Sequence, residues 1–205
     1  MTSRAPAKRK RDTFHHGNLR EALLEAAMAV LDQSGAEAVT IREVARRSGV
    51  SHAAPVNHFR DRTALLTAVA VRLFGDLETQ IGEQLDRTET EPAAQVGAFA
   101  LALVRYGLAH PFRYEFLWRR DLIDNSDDAL ERAMNRIYDR LIACIGEIGG
   151  NPQCDAHTVA IAFWSLAHGY VSMRINGNFE PIADTVSGKE REKAIVDLLL
   201  TALQF

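Results

Sequence analysis

The sequence predicts an all-α protein of about nine helices: a small N-terminal three-helix head of the helix-turn-helix kind, then a larger helical body. Three observations carry that prediction. Apolar residues recur at helical spacing along almost the whole chain, and no run alternates as a strand would. Capping signals and helix-closing glycines punctuate the first 62 residues at short intervals. The charge is also split: residues 1–62 hold 11 basic and 7 acidic side chains, while residues 63–205 hold 13 and 20. A cationic head on an anionic body implies that the head meets a polyanion.

Residues 1–13 read as a disordered basic arm, with Lys8, Arg9, Lys10 and Arg11 in succession. Such an arm lies on phosphates or enters a minor groove. Residues 14–62 read as the head. Asn18 and Glu21 make a capping box for a helix whose inner face is Leu19, Leu23, Ala26, Ala27, Val30 and Leu31, closed by Gly35. Thr40 and Glu43 open a second helix with Ile41, Val44 and Ala45 inward. Ala45 is small enough for a close crossing, Gly49 permits a tight turn, and Val50 fills the gap beneath it.

Ser51 is expected to cap a third α-helix carrying Val56 and Phe59. Pro55 then falls at the fourth helical position. Its missing N–H would have bonded only to the cap carbonyl, so the proline sets the start of the helix and does not break it. Asp61 caps a fourth helix with Leu65, Leu66, Val69 and Leu73 inward. Helix, short helix, glycine turn, short helix is the pattern whose last member enters the major groove of DNA.

Double-stranded DNA is therefore the expected partner. His52, Ala53 and Asn57 project from the reading helix: asparagine pairs with adenine edges, and alanine touches a thymine methyl. Thr40, Arg42, Ser51, His58 and Arg62 sit at helix starts or just beyond the reading helix, where hydroxyls and guanidinium groups meet phosphate. Arg46 and Arg47 read as solvated charges.

Residues 63–205 read as a larger helical body, with helices over 92–109 and near 128–148, 155–176 and 189–204. Phe99, Leu103, Tyr106, Phe116, Trp118, Trp164 and His168 are candidates to line a pocket between helices. The competing reading makes them core, the common fate of aromatics at helical spacing. Residues 156–173 hold no Asp, Glu, Lys or Arg, yet His157, Thr158, Ser165, His168 and Ser172 argue against a membrane span. That segment is expected between helices or in a subunit interface. Ile195, Leu198, Leu199 and Ala202 form a stripe on the last helix, widened by Val196, Leu200 and Leu203, so a homodimer is expected.

Cys144 and Cys154 form no CxxC pair, which points to a reducing cytoplasm. No enzyme signature appears: there is no GxSxG, P-loop or HExxH, and no Glu-x-x-His pair for a di-iron bundle. "CDAH" at 154–157 is too sparse for zinc, and Asp155 reads as a helix cap. No cofactor or metal is expected.

The runs "TIREVARRSGVS" and "HFRDRTALLTAV" resemble the TetR family of bacterial transcription regulators over residues 14–70, and Trp164-x-x-x-His168-Gly169 resembles the Trp-His-Gly signature of one TetR C-terminal domain type. The resemblance implies a helical homodimer, in which a small molecule bound by the body alters the spacing of two reading heads on an operator. Repression is the mode it implies. Val56 departs from the family's usual Tyr, which packs on DNA phosphates, and Arg62 from its frequent Lys. A regulator that binds DNA without any effector is the alternative, and a helical-bundle enzyme a more distant one.

Overall fold

The computed structural model describes residues 19–148 and 154–202. Eight α-helices form among the described residues: α1 (Leu19–Ser34), α2 (Ile41–Arg47), α3 (Arg62–Asp86), α4 (Pro92–Ala109), α5 (Pro111–Leu117), α6 (Asp128–Glu147), α7 (Ala156–Ile175) and α8 (Arg191–Ala202). Short 3-10 turns occupy Ala36–Ala38 and Ala54–Asn57. The expected all-helical architecture is what forms, with no strand element among the described residues. The basic arm, the Asn18 cap and Leu203 lie outside those residues.

Local chemistry starts most of the helices. Thr40 Oγ1 accepts the Glu43 N–H at 3.1 Å, and Asp61 accepts that of Ala64 at 2.8 Å. Asp127 and Asp155 do the same for Leu130 and Thr158. Each such cap is worth about 1 kcal/mol. The Thr40 box is only half made: the Glu43 carboxylate turns to Arg46 and Arg47, whose hydrogen bonds hold its pKa down to about 2. α2 ends as the glycine turn requires. Gly49 has φ 67°, its N–H bonds the Arg46 carbonyl at 3.2 Å, and that of Val50 reaches back to Ala45 at 3.1 Å.

The third helix differs from expectation. Ser51 caps no α-helix; the segment is a single 3-10 turn whose cap is Ala53. Pro55 has no N–H with which to bond the Ser51 carbonyl. The Ala54 N–H takes that carbonyl instead, at 3.0 Å, one residue earlier than an α-helix would. Pro55 itself is buried, and its carbonyl accepts from both His58 and Phe59, at 2.9 and 2.8 Å.

The core runs continuously from head to body. α3 starts shortly after the second 3-10 turn and carries on for 25 residues against α1, α4, α5 and α6. α4 is the one helix among the described residues long and apolar enough to cross a membrane, but α3, α5, α6, α7 and α8 surround it as the centre of the body. Two glycines set its close approaches. A Cβ on Gly107 would lie 2.5 Å from Val171 Cγ1, and one on Gly97 would lie 3.1 Å from Leu200 Cδ1.

Charged side chains tie the head to α5. Arg113 donates through Nε and Nη2 to the two Asp32 carboxylate oxygens at 2.7 Å each, and its side chain is only 19% exposed. Arg119 reaches Glu37 at 3.1 Å. Arg113→Met should lower stability by about 1–2 kcal/mol, the value of charge-assisted hydrogen bonds discounted for the half-exposed Asp32. Thermal unfolding checks this, and an unchanged midpoint would reject it.

α7 buries Val159, Ala160, Phe163, Ala167, Tyr170 and Val171 and leaves Ile161, Ser165, Gly169 and Met173 exposed on the opposite side. On α8, Val196 and Leu200 turn to Gly97 of α4, while Leu198 stands 69% exposed.

Candidate nucleic-acid interface

The reading turn is held from below and open above. Pro55 and Phe59 are buried, Ala54 and His58 are half-buried, and Ser51, His52, Ala53, Val56 and Asn57 are exposed. One buried face pins the segment to the head, and the other presents a short row of side chains. Thr40 and Arg42 are exposed at the start of α2, beside the turn that α2 packs against. The Thr40 hydroxyl caps α2 with a lone pair, and its proton remains available for a phosphate.

Of the eight residues expected to meet DNA, seven cluster on α2 and the reading segment. Arg62 is engaged inside the protein. Its guanidinium donates to the Val39 and Ala36 carbonyls at 2.7 Å each and lies 3.6 Å from Glu37. It locks the start of α3 to the 3-10 turn at 36–38. Arg46 and Arg47 are exposed as expected but not free, since both pair with Glu43, and Arg47 also bonds Gln33.

Two cations escaped the sequence reading. Arg20, in the first turn of α1, stacks over the Phe59 ring at 5.3 Å. Arg60, with a side chain 73% exposed, pairs with Asp61 at 3.3 Å and with Asp124 of the body at 3.4 Å. Both line a groove of about 580 Å³ with His58 and Arg72, between the head and the loop before α6. The "HFR" run at 58–60 was the available signal: cations flanking a core aromatic.

In the body, Phe99, Leu103, Tyr106 and Phe116 are each at most 2% exposed. Trp118, Trp164 and His168 are half-buried and form one cluster with Tyr114, which lay outside the candidate pocket set. Tyr114 Oη lies 3.1 Å from His168 Nδ1, the Trp118 ring meets the His168 edge at 4.9 Å, and Trp118 meets Trp164 at 5.7 Å. Burial lowers the His168 pKa, so the imidazole is held neutral and accepts or donates one bond at each nitrogen. Tyr106 Oη and Trp118 Nε1 are buried and make no hydrogen bond of good geometry among the described residues, although the Arg113 guanidinium stands beside the first and the Tyr114 side chain beside the second. Burial pushes the Tyr106 hydroxyl up to about 12, so it stays protonated.

Residues 23–69 match the family model described as bacterial regulatory proteins, tetR family, and residues 96–202 match the model for a tetracyclin repressor-like C-terminal domain. The chain is 28% identical over 163 residues to an HTH-type transcriptional regulator of Mycobacterium tuberculosis, covering 80% of this chain and 73% of that protein. It is 34% identical over 80 residues to the regulator BetI of Pectobacterium atrosepticum, covering 38% of this chain and only 41% of BetI. Among solved structures, a protein of unknown function from Rhodococcus sp. RHA1 superposes with a TM-score of 0.78 at 26% identity, covering 94% of this chain and 97% of that one. A tetracycline-repressor variant from Acinetobacter baumannii in complex with minocycline shares the fold at 17% identity, with a TM-score of 0.63, covering 94% of this chain and 97% of that one.

Proposed function

The chain belongs to the TetR family of bacterial regulatory proteins, transcriptional regulators and not enzymes, and from that premise we propose that it is a dimeric, ligand-released repressor of a pseudo-palindromic operator. The observation that carries this reading is the exposed row on the 3-10 turn, held over a buried Pro55. His52, Ala53 and Asn57 read base edges. Thr40, Arg42, Ser51 and His58 meet phosphates at the flanks, and Arg62 acts by fixing α3 beneath them. The work is done where the chromosome is, in the cytoplasm.

A small, largely apolar effector is proposed for the body, among Phe99, Leu103, Tyr106, Phe116, Trp118, Trp164 and His168. The half-buried cluster of Trp118, Trp164 and His168 supports it, an aromatic surface with polar edges of the kind that lines ligand pockets. The minocycline complex of the Acinetobacter baumannii protein, which shares this fold, supports a small-molecule site in the body. The contact of Tyr114 with His168 links that region to α5, and Arg113 links α5 to the head. A thermal-shift screen with apolar small molecules tests this half. No shift with any of them would favour a regulator that has no effector.

Selection of bound sequences from random DNA tests the main reading and returns the operator. Asn57→Ala should then weaken operator binding roughly 10-fold, the value of one bidentate adenine contact, with unfolding unchanged. Affinity should fall steeply with salt as phosphate contacts release counterions. Equal affinity of mutant and parent, or a flat salt dependence, would overturn it.

A further inference from the structure

The middle of the reading segment is chemically mute toward hydrogen bonds. Residues 53–56 read "AAPV", four side chains without a polar atom, and Pro55 lacks even its N–H. Ala54 is half-buried and Pro55 is buried, whereas Ala53 is exposed and Val56 is 56% exposed. In a 3-10 turn side chains three apart eclipse one another. Ala53, the cap of the turn, and Val56 are three apart and both exposed, so they share one outward face, flanked in sequence by the polar His52 and Asn57. Of the features that a base edge shows in the major groove, the thymine C5-methyl is the one that hydrocarbon recognises.

Resting on the DNA-binding reading above, we propose that Ala53 and Val56 form an apolar ridge that selects thymine methyl groups in each half-site, next to the base read by Asn57. Val56 is suited to this. Its branched side chain is stiff about χ1, so little rotamer freedom is lost when it docks. The buried Pro55, whose carbonyl accepts from both His58 and Phe59, fixes the turn that aims it. Specificity in this protein then divides between hydrogen bonding at Asn57 and methyl contact at Val56.

Deoxyuridine lacks only the methyl, so it supplies the test. The operator found by random-DNA selection is rebuilt with single thymine-to-deoxyuridine replacements in one half-site, and the full-length chain is titrated by fluorescence anisotropy. The parent should lose about fourfold at one or two positions, the effect of about one buried methyl group, and little elsewhere. Val56→Ala should bind the thymine operator more weakly and lose its sensitivity to deoxyuridine at one of those positions. It should keep the adenine preference that Asn57 confers. Val56→Thr, similar in shape, guards against a folding defect and should retain part of the discrimination. A parent indifferent to every replacement, or a Val56→Ala variant with the parent's profile, overturns this proposal and leaves DNA binding standing. A chain that enriches no sequence at all overturns both.

Discussion

Gly107→Ala is expected to destabilise the protein by about 1–3 kcal/mol, the cost of forcing a methyl into a closed core. In an ordinary helix interior the same change stabilises by up to about 1 kcal/mol, because alanine gives up less backbone entropy. The sign is reversed here by what the new Cβ would meet. It would lie 2.5 Å from Val171 Cγ1, 2.9 Å from Tyr114 Cδ2 and 3.1 Å from Tyr114 Cε2. Neither neighbour is a loose end. Val171 is fully buried, and Tyr114 is buried with its hydroxyl beside His168 Nδ1. α4, α5 and α7 would have to separate. Gly75→Ala in α3 is the control: nothing lies within 4 Å of a Cβ there, so it should stabilise by about 0.5–1 kcal/mol. Urea unfolding of both variants reads the two signs. A Gly107→Ala chain as stable as the parent would mean that the three helices do not cross as described.

The head was largely legible because its signals are local. Thr40, Asp61, Gly35 and Gly49 each act on backbone within a few residues, and each does in space what its place in the sequence implies. Pro55 is as local, but its effect was misjudged. The decision turned on which N–H claims the Ser51 carbonyl, and a missing donor at residue 55 hands it to Ala54. Arg62 read as a phosphate cation because charge is visible in a sequence, whereas the two carbonyls that hold it lie more than 20 residues upstream. The body shows the same limit more strongly. Trp164 and His168 were visible as a pair on one helix face, but Tyr114 joins them across 54 residues from a seven-residue helix with too little length to show a period. Gly107 was silent for a related reason: a glycine within a helical pattern lowers confidence in the helix and does not name the chains that press on it.

Replacing both Ile161 and Leu198 with glutamate is expected to leave a folded monomer that has lost most of its operator affinity. Each residue is already exposed in the single chain, 58% and 69%, so the fold pays little for the change. An interface would pay heavily. Around Ile161, α7 exposes Ser165, Gly169 and Met173, an uncharged face with small residues that admit another helix at short range. Leu198 stands on α8 opposite the side that Val196 and Leu200 turn toward Gly97. In the proposed dimer two such helices from each copy would make a four-helix bundle, and two-fold symmetry would count every contact twice. Four buried Ile and Leu side chains would contribute about 1.5–3 kcal/mol apiece, and carboxylates forced into the same place would have to be neutralised or leave. On the proposed two-fold operator the loss would be functional, because separated heads would bind half-sites independently and forfeit the linkage that holds both at once. Light scattering at micromolar concentration should show a dimeric parent and a monomeric variant, with circular dichroism spectra that superpose. A monomeric parent would remove the premise, and a variant that stays dimeric would place the interface on some other face of the body.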